Sequence, residues 1–364
     1  MISIAFTGGG TGGHIYPGLA VASWIKKIYP CRIFWIGSST GMDRAILENA
    51  GVEFFGIPSG KLRRYFSLCN FFDAFRVIAG FFAARRLLKR EAPSLLFSKG
   101  GFVSVPPCAA ARTLKIPVFT HESDYSPGLS TRINSRFADR IFIPYKESEA
   151  FFHGALKDKI CVSGNPIRPE FDVADPGKGR AFLGLGKSER ILLVLGGSQG
   201  SREINSLVWD CLPQLIKYYT IVHQTGEISE IPEAAIDQGK LGLYRHYDYL
   251  RDYIHHLIAA AELVISRGGA GTLWECKSLG KPLVLIPLQA SGTSRGDQIE
   301  NVRLFEKAGA AIYFTGDASA LAALVSSLAE DGERRRSMGE VKISGFNAAE
   351  FIAKAIVDKI KEAK

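Results

Sequence analysis

The sequence feature that most constrains the fold is an apolar strand followed by a glycine-rich turn and a helix, a pattern that occurs twice. The first copy, ISIAFTGGGTGGH, starts at Ile2, and the second, ILLVLGGSQGSREIN, starts at Ile191. Apolar runs that lead into glycines and then into a helix are typical of parallel sheets whose strands are buried on both faces. The repeat therefore predicts an α/β protein with two Rossmann-like domains.

Nine apolar runs are predicted to be strands. They are ISIAFTG, RIFWIG, LLFSKGG, PVFTHES and RIFIPY in the first half, and ILLVLGG, YTIVHQTG, LVISRGG and PLVLIP in the second. Residues 164–180 are rich in proline, glycine and charge, as linkers are. We therefore expect an N-terminal domain over residues 1–164, a C-terminal domain over 165–345, and a helix over 346–364 that packs back on the N-terminal domain. The glycine turns of both domains are expected at a shared cleft, beyond the carboxyl ends of the strands.

The charge balance indicates an acidic partner, because the 364-residue chain carries a net charge of +9. Nucleic acid, an anionic lipid surface and a phosphorylated ligand all fit that charge. The six cysteines are scattered without metal-ligand spacing, which favours reduced thiols in the cytoplasm. The first residues do not form a signal peptide, and no apolar stretch reaches the ~18 residues of a membrane span. If a membrane is involved, we expect the protein to lie on it.

The first glycine turn, Gly8–His14, precedes a helix that Pro17 is expected to start. Glycines let a ligand approach the backbone, and a helix N-terminus offers N–H groups to an anion. The string GxGxxG also allows a dinucleotide-binding turn, but residues 38–40 (SST) lack the acidic ribose ligand of that motif, and Asp43 lies too far along. His14 fits either a general base for a sugar hydroxyl or a histidine that only hydrogen-bonds the turn.

Three polar clusters in the second half each follow a predicted strand and lead into a helix. They are GGSQGS (residues 196–201), SRGGAGTLWE (266–275) and PLQASGTSRGDQIENV (287–302). Together they suggest a site for phosphate and sugar. The chain has no DxD sequence, the pair with which many glycosyltransferases hold a metal. We therefore expect no metal, and Arg168 is the candidate cation for a leaving diphosphate.

Seven motifs, in this order, resemble the MurG family of lipid-intermediate N-acetylglucosaminyltransferases of peptidoglycan synthesis. They are GGGTGGHIYPGLA, SKGGFVSVP, HESDYSPGL, GNPIR, GGSQGS, SRGGAGTLWE and GDQIENV, and they span nearly the whole chain. The resemblance implies a GT-B fold, no cofactor, and inverting transfer of N-acetylglucosamine (GlcNAc) from UDP-GlcNAc. The implied acceptor is the C4 hydroxyl of N-acetylmuramic acid (MurNAc) in undecaprenyl-diphosphate-MurNAc-peptide (lipid I). The implied products are lipid II, which serves cell-wall synthesis, cell shape and division, and UDP.

The resemblance also implies roles for single residues, with His14 as the catalytic base. The positions that match UDP-GlcNAc contacts are Thr11, Gly12 and Gly13 near the donor sugar and the acceptor diphosphate, Asp124 at the donor sugar, Arg168 and Ser198 at the donor diphosphate, the Leu250 backbone at uracil, Ala270, Gly271, Thr272, Leu273 and Trp274 in the donor loop, Glu275 at the ribose, and Gln298 at a sugar hydroxyl. The acceptor-side positions are Gly100, Gly101, His121 and Glu122.

Two positions depart from the pattern of many family members. Residues 121–124 read HESD where many members read HEQN, and Asp297 replaces a glutamine or histidine. A carboxylate at Asp124 cannot donate a hydrogen bond as an amide does, so the contact to the donor sugar differs here. These forms resemble a Gram-positive-like branch of the family, which favours variation over loss of activity.

The segment Lys61–Arg90 interleaves phenylalanines with basic residues, which is typical of a helix in the headgroup region of an anionic membrane. The alternative is an ordinary core helix, because Phe71, Phe75, Ile78 and Phe82 lie on one stripe at helical spacing. The membrane interpretation and the core interpretation are compatible if one face of the helix packs on the core and another faces the membrane. We therefore expect a peripheral protein on the cytoplasmic face of the cell membrane.

The remaining alternatives are a related enzyme that glycosylates another lipid, such as diacylglycerol, and a nicotinamide-dependent oxidoreductase. Nucleic acid is not expected as a partner, because the basic residues accompany phenylalanine and no nucleic-acid motif is present. The sequence does not predict an oligomeric state.

Overall fold

The computed structural model describes residues 2–41, 43–60, 69–197, 200–227, 231–288, 296–343 and 347–362, with the backbone alone for residues 69–72. Contacts divide the chain into two compact units. The N-terminal unit comprises Met1–Arg168 and Ser344–Lys364, and the C-terminal unit comprises Pro169–Ile343. Each unit is an α/β domain with a parallel sheet, as the strand–glycine–helix repeat predicts.

The N-terminal unit contains a seven-stranded sheet in the order β3-β2-β1-β4-β5-β6-β7. Its strands are β1 (Ser3–Thr7), β2 (Arg32–Ser38), β3 (Glu53–Ile57), β4 (Leu95–Ser98), β5 (Val118–His121), β6 (Arg140–Ile143) and β7 (Ile160–Val162). Its first helices are α1 (Gly12–Ile28), α2 (Asp43–Asn49), α3 (Cys69–Glu91), α4 (Val105–Thr113) and α5 (Leu129–Asn134). Helix α1 starts at Gly12, so the expectation that Pro17 starts it is wrong. Thr11 is the extended N-cap residue, and Pro17 lies in the second turn.

Alternate residues of β1 enter two different cores, because successive side chains of a strand point to opposite faces of a sheet. Phe6 packs with Trp35 of β2 and with the apolar side of α1, and the Phe6 and Trp35 rings stack with centroids 5.5 Å apart. Ala5 faces the other core, which contains Leu88 of α3 and Cys108 of α4. Burying each large apolar side chain contributes roughly 1.5–3 kcal/mol, so both layers of helices are fixed against the sheet.

Helix α3 has an exposed apolar stripe. Phe75, Ile78 and Phe82 are 57%, 55% and 63% exposed, so the interpretation of these three as core residues is wrong. The buried face of α3 is the opposite one, which carries Ala84 and Leu88. The side chain of Phe71 and all of residues 61–68 lie outside the described part of the chain. No helix among the described residues is both long and apolar enough to cross a membrane.

The C-terminal unit contains a six-stranded sheet in the order β10-β9-β8-β11-β12-β13. Its strands are β8 (Ile191–Leu195), β9 (Thr220–Gln224), β10 (Tyr244–Tyr247), β11 (Leu263–Ser266), β12 (Leu283–Leu285) and β13 (Ala311–Tyr313). Its helices are α6 (Pro176–Leu183), α7 (Arg202–Asp210), α8 (Leu212–Leu215), α9 (Glu233–Lys240), α10 (Ile254–Ala260), α11 (Ala270–Ser278), α12 (Asp297–Lys307), α13 (Ala318–Glu330) and α14 (Gly332–Glu340). One core joins Leu192 and Val194 of β8 to Val208 of α7 and Leu321 of α13.

The last helix, α15 (Ala348–Glu362), belongs to the N-terminal unit although it follows the C-terminal one. Its residues Ile352, Ile356 and Ile360 recur every four positions and are buried with Val21 and Ile25 of α1. The last helix therefore packs into the same core as the first helix.

Candidate active site

The glycine turn after β1 is held by a buried carboxylate. Asp43, the first residue of α2, is 1% exposed and accepts hydrogen bonds from the Gly10 N–H at 2.9 Å and the Ser38 N–H at 3.2 Å. A Cβ on Gly9 would lie 2.1 Å from Asp43 Oδ2. Asp43 thus joins the glycine turn to the end of β2, a role that cannot be recognised from sequence spacing alone.

A second glycine turn, Gly100–Gly101 after β4, contacts the first glycine turn, and His14 lies where the two turns meet. Gly101 has a φ of 80°, and a Cβ on it would lie 2.5 Å from the Gly9 carbonyl oxygen and 3.1 Å from His14 Cδ2. Only glycine permits this approach. The His14 side chain, in the first turn of α1, is partly exposed. The structure therefore brings the predicted residues Gly100 and Gly101 together with His14, at a position suited to proton transfer with a ligand.

The turn after β5 contains a buried network of charged and polar side chains. Lys99 is 1% exposed, and its Nζ donates to Ser123 Oγ at 2.6 Å. Ser123 Oγ donates in turn to Asn165 Oδ1 at 2.9 Å. Glu122 accepts hydrogen bonds from the N–H groups of Ser123, Asp124 and Gly128 at 2.8, 3.1 and 2.9 Å. The network fixes the HESD turn against the turn after β4, which begins with Lys99.

The charges in this network shift one another's pKa values. Burial lowers the pKa of Lys99 to about 8, against the opposing effect of the Glu122 and Asp124 carboxylates. Burial alone would raise the pKa of Glu122, but the Lys99 charge and the hydrogen bonds to the carboxylate hold it below its ordinary value. Burial and the Lys99 charge lower the pKa of His121, which keeps that ring neutral. Two carboxylates and one cation therefore determine the electrostatics of this turn.

Five further predicted residues of the N-terminal unit have distinct positions. The His121 ring is fully buried and its Nε2 lies 3.0 Å from the Gly164 carbonyl oxygen, so it anchors the segment before Arg168. The Arg168 guanidinium lies 5.2 Å from the centre of the Tyr16 ring, in α1. Thr11 and Gly13 are exposed at the start of α1, and Gly12 is partly exposed.

In the C-terminal unit, Gln224 at the end of β9 connects the turns that follow the two strands on either side, β8 and β10. Its Nε2 donates to the Gly197 carbonyl oxygen at 2.9 Å, and its Oε1 accepts from the Leu250 N–H at 3.0 Å. A Cβ on Gly200 would lie 2.1 Å from the Thr225 carbonyl oxygen, so this turn also requires glycine. The predicted residue Ser198 lies outside the described residues.

Arg267 places a cation against the same turn. Its Nη1 donates to the Gly200 carbonyl oxygen at 3.1 Å, and a Cβ on Gly197 would lie 3.4 Å from its Nη2. Burial lowers the pKa of Arg267, although a guanidinium stays protonated at neutral pH. Within the described part of the chain no acidic side chain pairs with it, so this guanidinium is suited to a ligand's negative charge.

Helix α11 begins beside Arg267 and carries the residues that are predicted to form the donor loop. A Cβ on Gly269 or Gly271 would meet no atom within 4 Å, so the start of this helix borders open space among the described residues. Leu273 and Trp274 are buried in the unit, Ala270 is buried at the first turn, and Thr272 and Glu275 are partly exposed. The N–H groups of the first turn are thus placed to hold an anion.

Gln298 lies next to this loop. Its Oε1 accepts a hydrogen bond from the Leu288 N–H at 3.1 Å, and a Cβ on Gly268 would lie 3.5 Å from its carbonyl oxygen. The structure therefore gathers Gln298, Leu250 and the start of α11 at the carboxyl edge of one sheet. Among the described residues, no group of three histidine, cysteine, aspartate or glutamate side chains is placed to hold a metal ion.

Comparison with known families identifies the family of the chain. Residues 4–143 match the glycosyltransferase family 28 N-terminal domain, and residues 191–355 match the glycosyltransferase family 28 C-terminal domain. The chain belongs to glycosyltransferase family 28. Membership in family 28 decides against the nicotinamide-dependent alternative.

Curated relatives of this family 28 glycosyltransferase share one name, UDP-N-acetylglucosamine–N-acetylmuramyl-(pentapeptide) pyrophosphoryl-undecaprenol N-acetylglucosamine transferase. The protein from Treponema denticola is 47% identical, with 87% of this chain and 85% of the relative covered. A Bacillus cereus protein, transferase 2 of the same name, is 37% identical with both chains fully covered. The resemblance to the MurG family is thereby confirmed.

A solved structure supports the same fold. The crystal structure of Acinetobacter baumannii MurG matches with a TM-score of 0.72 at 22% identity, covering 98% of this chain and all of that one. At this identity the likeness concerns the fold, which confirms the GT-B prediction of two Rossmann-like domains.

Three residues that the sequence analysis did not single out shape the candidate site: Asp43, Lys99 and Gln224. Each is polar and directly follows or lies near the carboxyl end of a strand. That position is the one available signal in the sequence, because each side chain has at least one partner that lies 20 or more residues away.

Proposed function

We propose that this enzyme transfers GlcNAc from UDP-GlcNAc to the C4 hydroxyl of MurNAc in undecaprenyl-diphosphate-MurNAc-peptide, with inversion at the anomeric carbon. The products are the lipid-linked disaccharide, lipid II, and UDP. The observation that carries the proposal is the 47% identity, over most of both chains, to a Treponema denticola protein named as the N-acetylglucosamine transferase of N-acetylmuramyl-(pentapeptide) pyrophosphoryl-undecaprenol. The C4 hydroxyl and the inversion are implied by the resemblance to the MurG family.

In this mechanism His14 is the general base. It takes the proton of the acceptor C4 hydroxyl as the oxygen forms a bond to C1 of GlcNAc and the bond between C1 and the UDP oxygen breaks. Support comes from the partly exposed position of His14 between the Gly9 and Gly101 turns. A neutral imidazole at that point can accept a proton near neutral pH.

The C-terminal unit is proposed to bind the donor. The first turn of α11, Arg267 and the Gly196–Ser201 turn, with Ser198, offer N–H groups and a cation to the diphosphate, with Arg168 as a further cation. Glu275 is proposed to accept from the ribose hydroxyls, and Gln298 to contact the sugar. The Leu250 backbone is proposed to bind uracil, and the Gln224 side chain, which accepts from the Leu250 N–H, holds that backbone in position.

The test is turnover of UDP-GlcNAc with a soluble lipid I analogue in the presence of EDTA. We expect UDP release that depends on the analogue. Release that depends on diacylglycerol instead would assign the enzyme to another lipid, and loss of activity in EDTA would contradict the metal-independent mechanism.

The base is tested by His14→Ala. We expect UDP-GlcNAc affinity to be kept and turnover to fall at least ~100-fold, the usual scale for a general base. His153→Ala, which removes an exposed histidine from the same unit, is the matched control and should keep normal turnover. Normal turnover of His14→Ala would remove His14 from this role.

We further propose that α3 attaches the enzyme to the cytoplasmic face of the membrane as a peripheral protein. Phe75, Ile78 and Phe82 form an exposed apolar stripe on α3. The same face continues into exposed basic residues, Arg85, Arg86 and Lys89. An apolar stripe beside cations matches the interface of an anionic leaflet.

Vesicle sedimentation tests this attachment. The double variant Phe75→Ser/Phe82→Ser should bind anionic vesicles several-fold less than the native enzyme, with unchanged turnover of a soluble acceptor. Leu241→Ser removes an equally exposed apolar side chain from the C-terminal unit (69% exposed) and should bind normally. Equal vesicle binding by the native enzyme and the double variant would refute the attachment.

A further inference from the structure

Lys99 directly follows β4 and packs beside the glycine turns of the N-terminal unit, while its Nζ reaches Ser123. Its Cβ lies 3.1 Å from where a Cβ on Gly8 would stand, and the Gly100–Gly101 turn that contacts His14 follows it in the chain. The side chain is 1% exposed. Lysines are almost never this buried unless they are paired with an opposite charge. The burial therefore indicates that the Lys99 charge has a structural or functional role.

Of the two carboxylates whose charges act on Lys99, Glu122 is already satisfied by its own turn. Its oxygens accept three backbone N–H groups and a hydrogen bond from the Thr131 side chain, and only 6% of the residue is exposed. Glu122 therefore acts as an internal support of the HESD turn. It is not available to a ligand.

Asp124 is the other carboxylate, and it is partly exposed at the end of the same turn. The two residues are linked through Ser123, which accepts the hydrogen bond from Lys99 Nζ and directly precedes Asp124. A carboxylate can only accept hydrogen bonds, so a substrate hydroxyl at this point must be the donor. A neutral amide at the same position would need no counter-charge.

We propose that Lys99 is a positioning residue of the transfer reaction, which balances the charge of Asp124 and, through Ser123, fixes the turn that presents Asp124 to a sugar hydroxyl. The inference rests on the proposed function, because it assigns a sugar to this turn. Lys99 and Asp124 then form one unit, in which the lysine supplies a counter-charge that a neutral amide at position 124 would not need.

A double-mutant cycle tests the unit. The variants are Lys99→Met, which keeps the length of the side chain, Asp124→Asn, and the two combined. Lys99→Met leaves the carboxylates of Glu122 and Asp124 without a cation, whereas the combined variant removes one charge of each sign and keeps the net charge of the native turn. We expect kcat/KM to fall by roughly 10-fold or more in each single variant, and the combined variant to be at least ~5-fold more active than the product of the two losses predicts.

Stability and substrate constants separate positioning from folding. Each variant is compared by thermal unfolding and by KM for UDP-GlcNAc and for the acceptor analogue. Lys281→Met is the matched control, because Lys281 is a largely buried lysine that donates only to the Ala259 and Ala261 carbonyl oxygens. It should lower stability without any coupling to Asp124→Asn.

If the native enzyme is active and the loss of kcat/KM in the combined variant equals the product of the two single losses, the role of Lys99 is overturned. The proposed transfer reaction would be unaffected by that result. Losses that follow thermal stability alone, with both KM values unchanged, would also overturn the role of Lys99. Absence of any turnover by the native enzyme with the lipid I analogue would overturn the proposed function and the assignment of Lys99 together.

Discussion

The buried carboxylate of Asp43 offers a sharp test of how the first glycine turn is held. In Asp43→Asn the amide oxygen can still accept one of the two N–H groups, from Gly10 or from Ser38. The amide NH₂ then faces the other N–H, which is left without an acceptor. Each hydrogen bond to a charged group is worth roughly 1.5–3 kcal/mol, and an unsatisfied buried donor costs about 1–3 kcal/mol. Because the variant no longer buries a charge, we expect a net loss of about 2–4 kcal/mol in the free energy of unfolding.

Urea unfolding of the full chain measures this loss, and amide hydrogen exchange locates it. The Gly10 and Ser38 amides should exchange markedly faster in the variant. Asp317→Asn makes the same chemical change at the N-cap of α13, where the aspartate accepts from the Ala320 N–H at 2.8 Å. Asparagine caps helices as well as aspartate does, so this control should change stability by less than ~0.5 kcal/mol. Equal effects of the two substitutions would refute the role assigned to Asp43.

Three further outcomes follow from the same contacts. Gly101→Ala should lose at least ~2 kcal/mol of stability and most turnover, because its Cβ would stand 2.5 Å from the Gly9 oxygen. Gly51→Ala also has a positive φ but open space around it, so it should lose only about 1 kcal/mol; similar losses for both in urea unfolding would contradict the close approach. Since burial holds the Lys99 pKa at about 8 in the folded state and the unfolded value is about 10.4, the unfolded chain binds more protons between these values. The free energy of unfolding of the native enzyme should therefore rise by up to ~3 kcal/mol from pH 8 to pH 10.4 relative to that of Lys99→Met. If the two proteins show parallel curves of stability against pH, the lowered pKa of Lys99 is excluded. Gln224→Ala removes the bridge between Gly197 and Leu250, so KM for UDP-GlcNAc should rise ~10-fold at nearly constant kcat, and an unchanged KM would show that the bridge does not organise the donor site.

The strands show which part of the fold the sequence can predict. All nine predicted strands are present, and the four that were not predicted, β3, β7, β10 and β13, are the four edge strands of the two sheets. An interior strand is buried on both faces and appears as a continuous apolar run. An edge strand such as β10 (YRHY) is short and polar, so its sequence cannot be distinguished from that of a loop.

Helix α3 and the candidate site show where such prediction ends. Helical spacing places Phe75, Ile78 and Phe82 on one stripe, but spacing does not determine whether that stripe faces core or solvent. The glycine turns and His14 were predictable because they are local in sequence. Asp43 and Lys99 were not, since their roles depend on partners in other turns that only the folded sheet brings close.

The most direct test of the central claim is the structure of the product formed from UDP-GlcNAc and the lipid I analogue. Mass spectrometry and NMR should show one added GlcNAc, joined to O4 of MurNAc, with the large anomeric proton coupling of a β-linkage. An α-linkage, a different acceptor hydroxyl, or hydrolysis of UDP-GlcNAc without transfer would contradict the account.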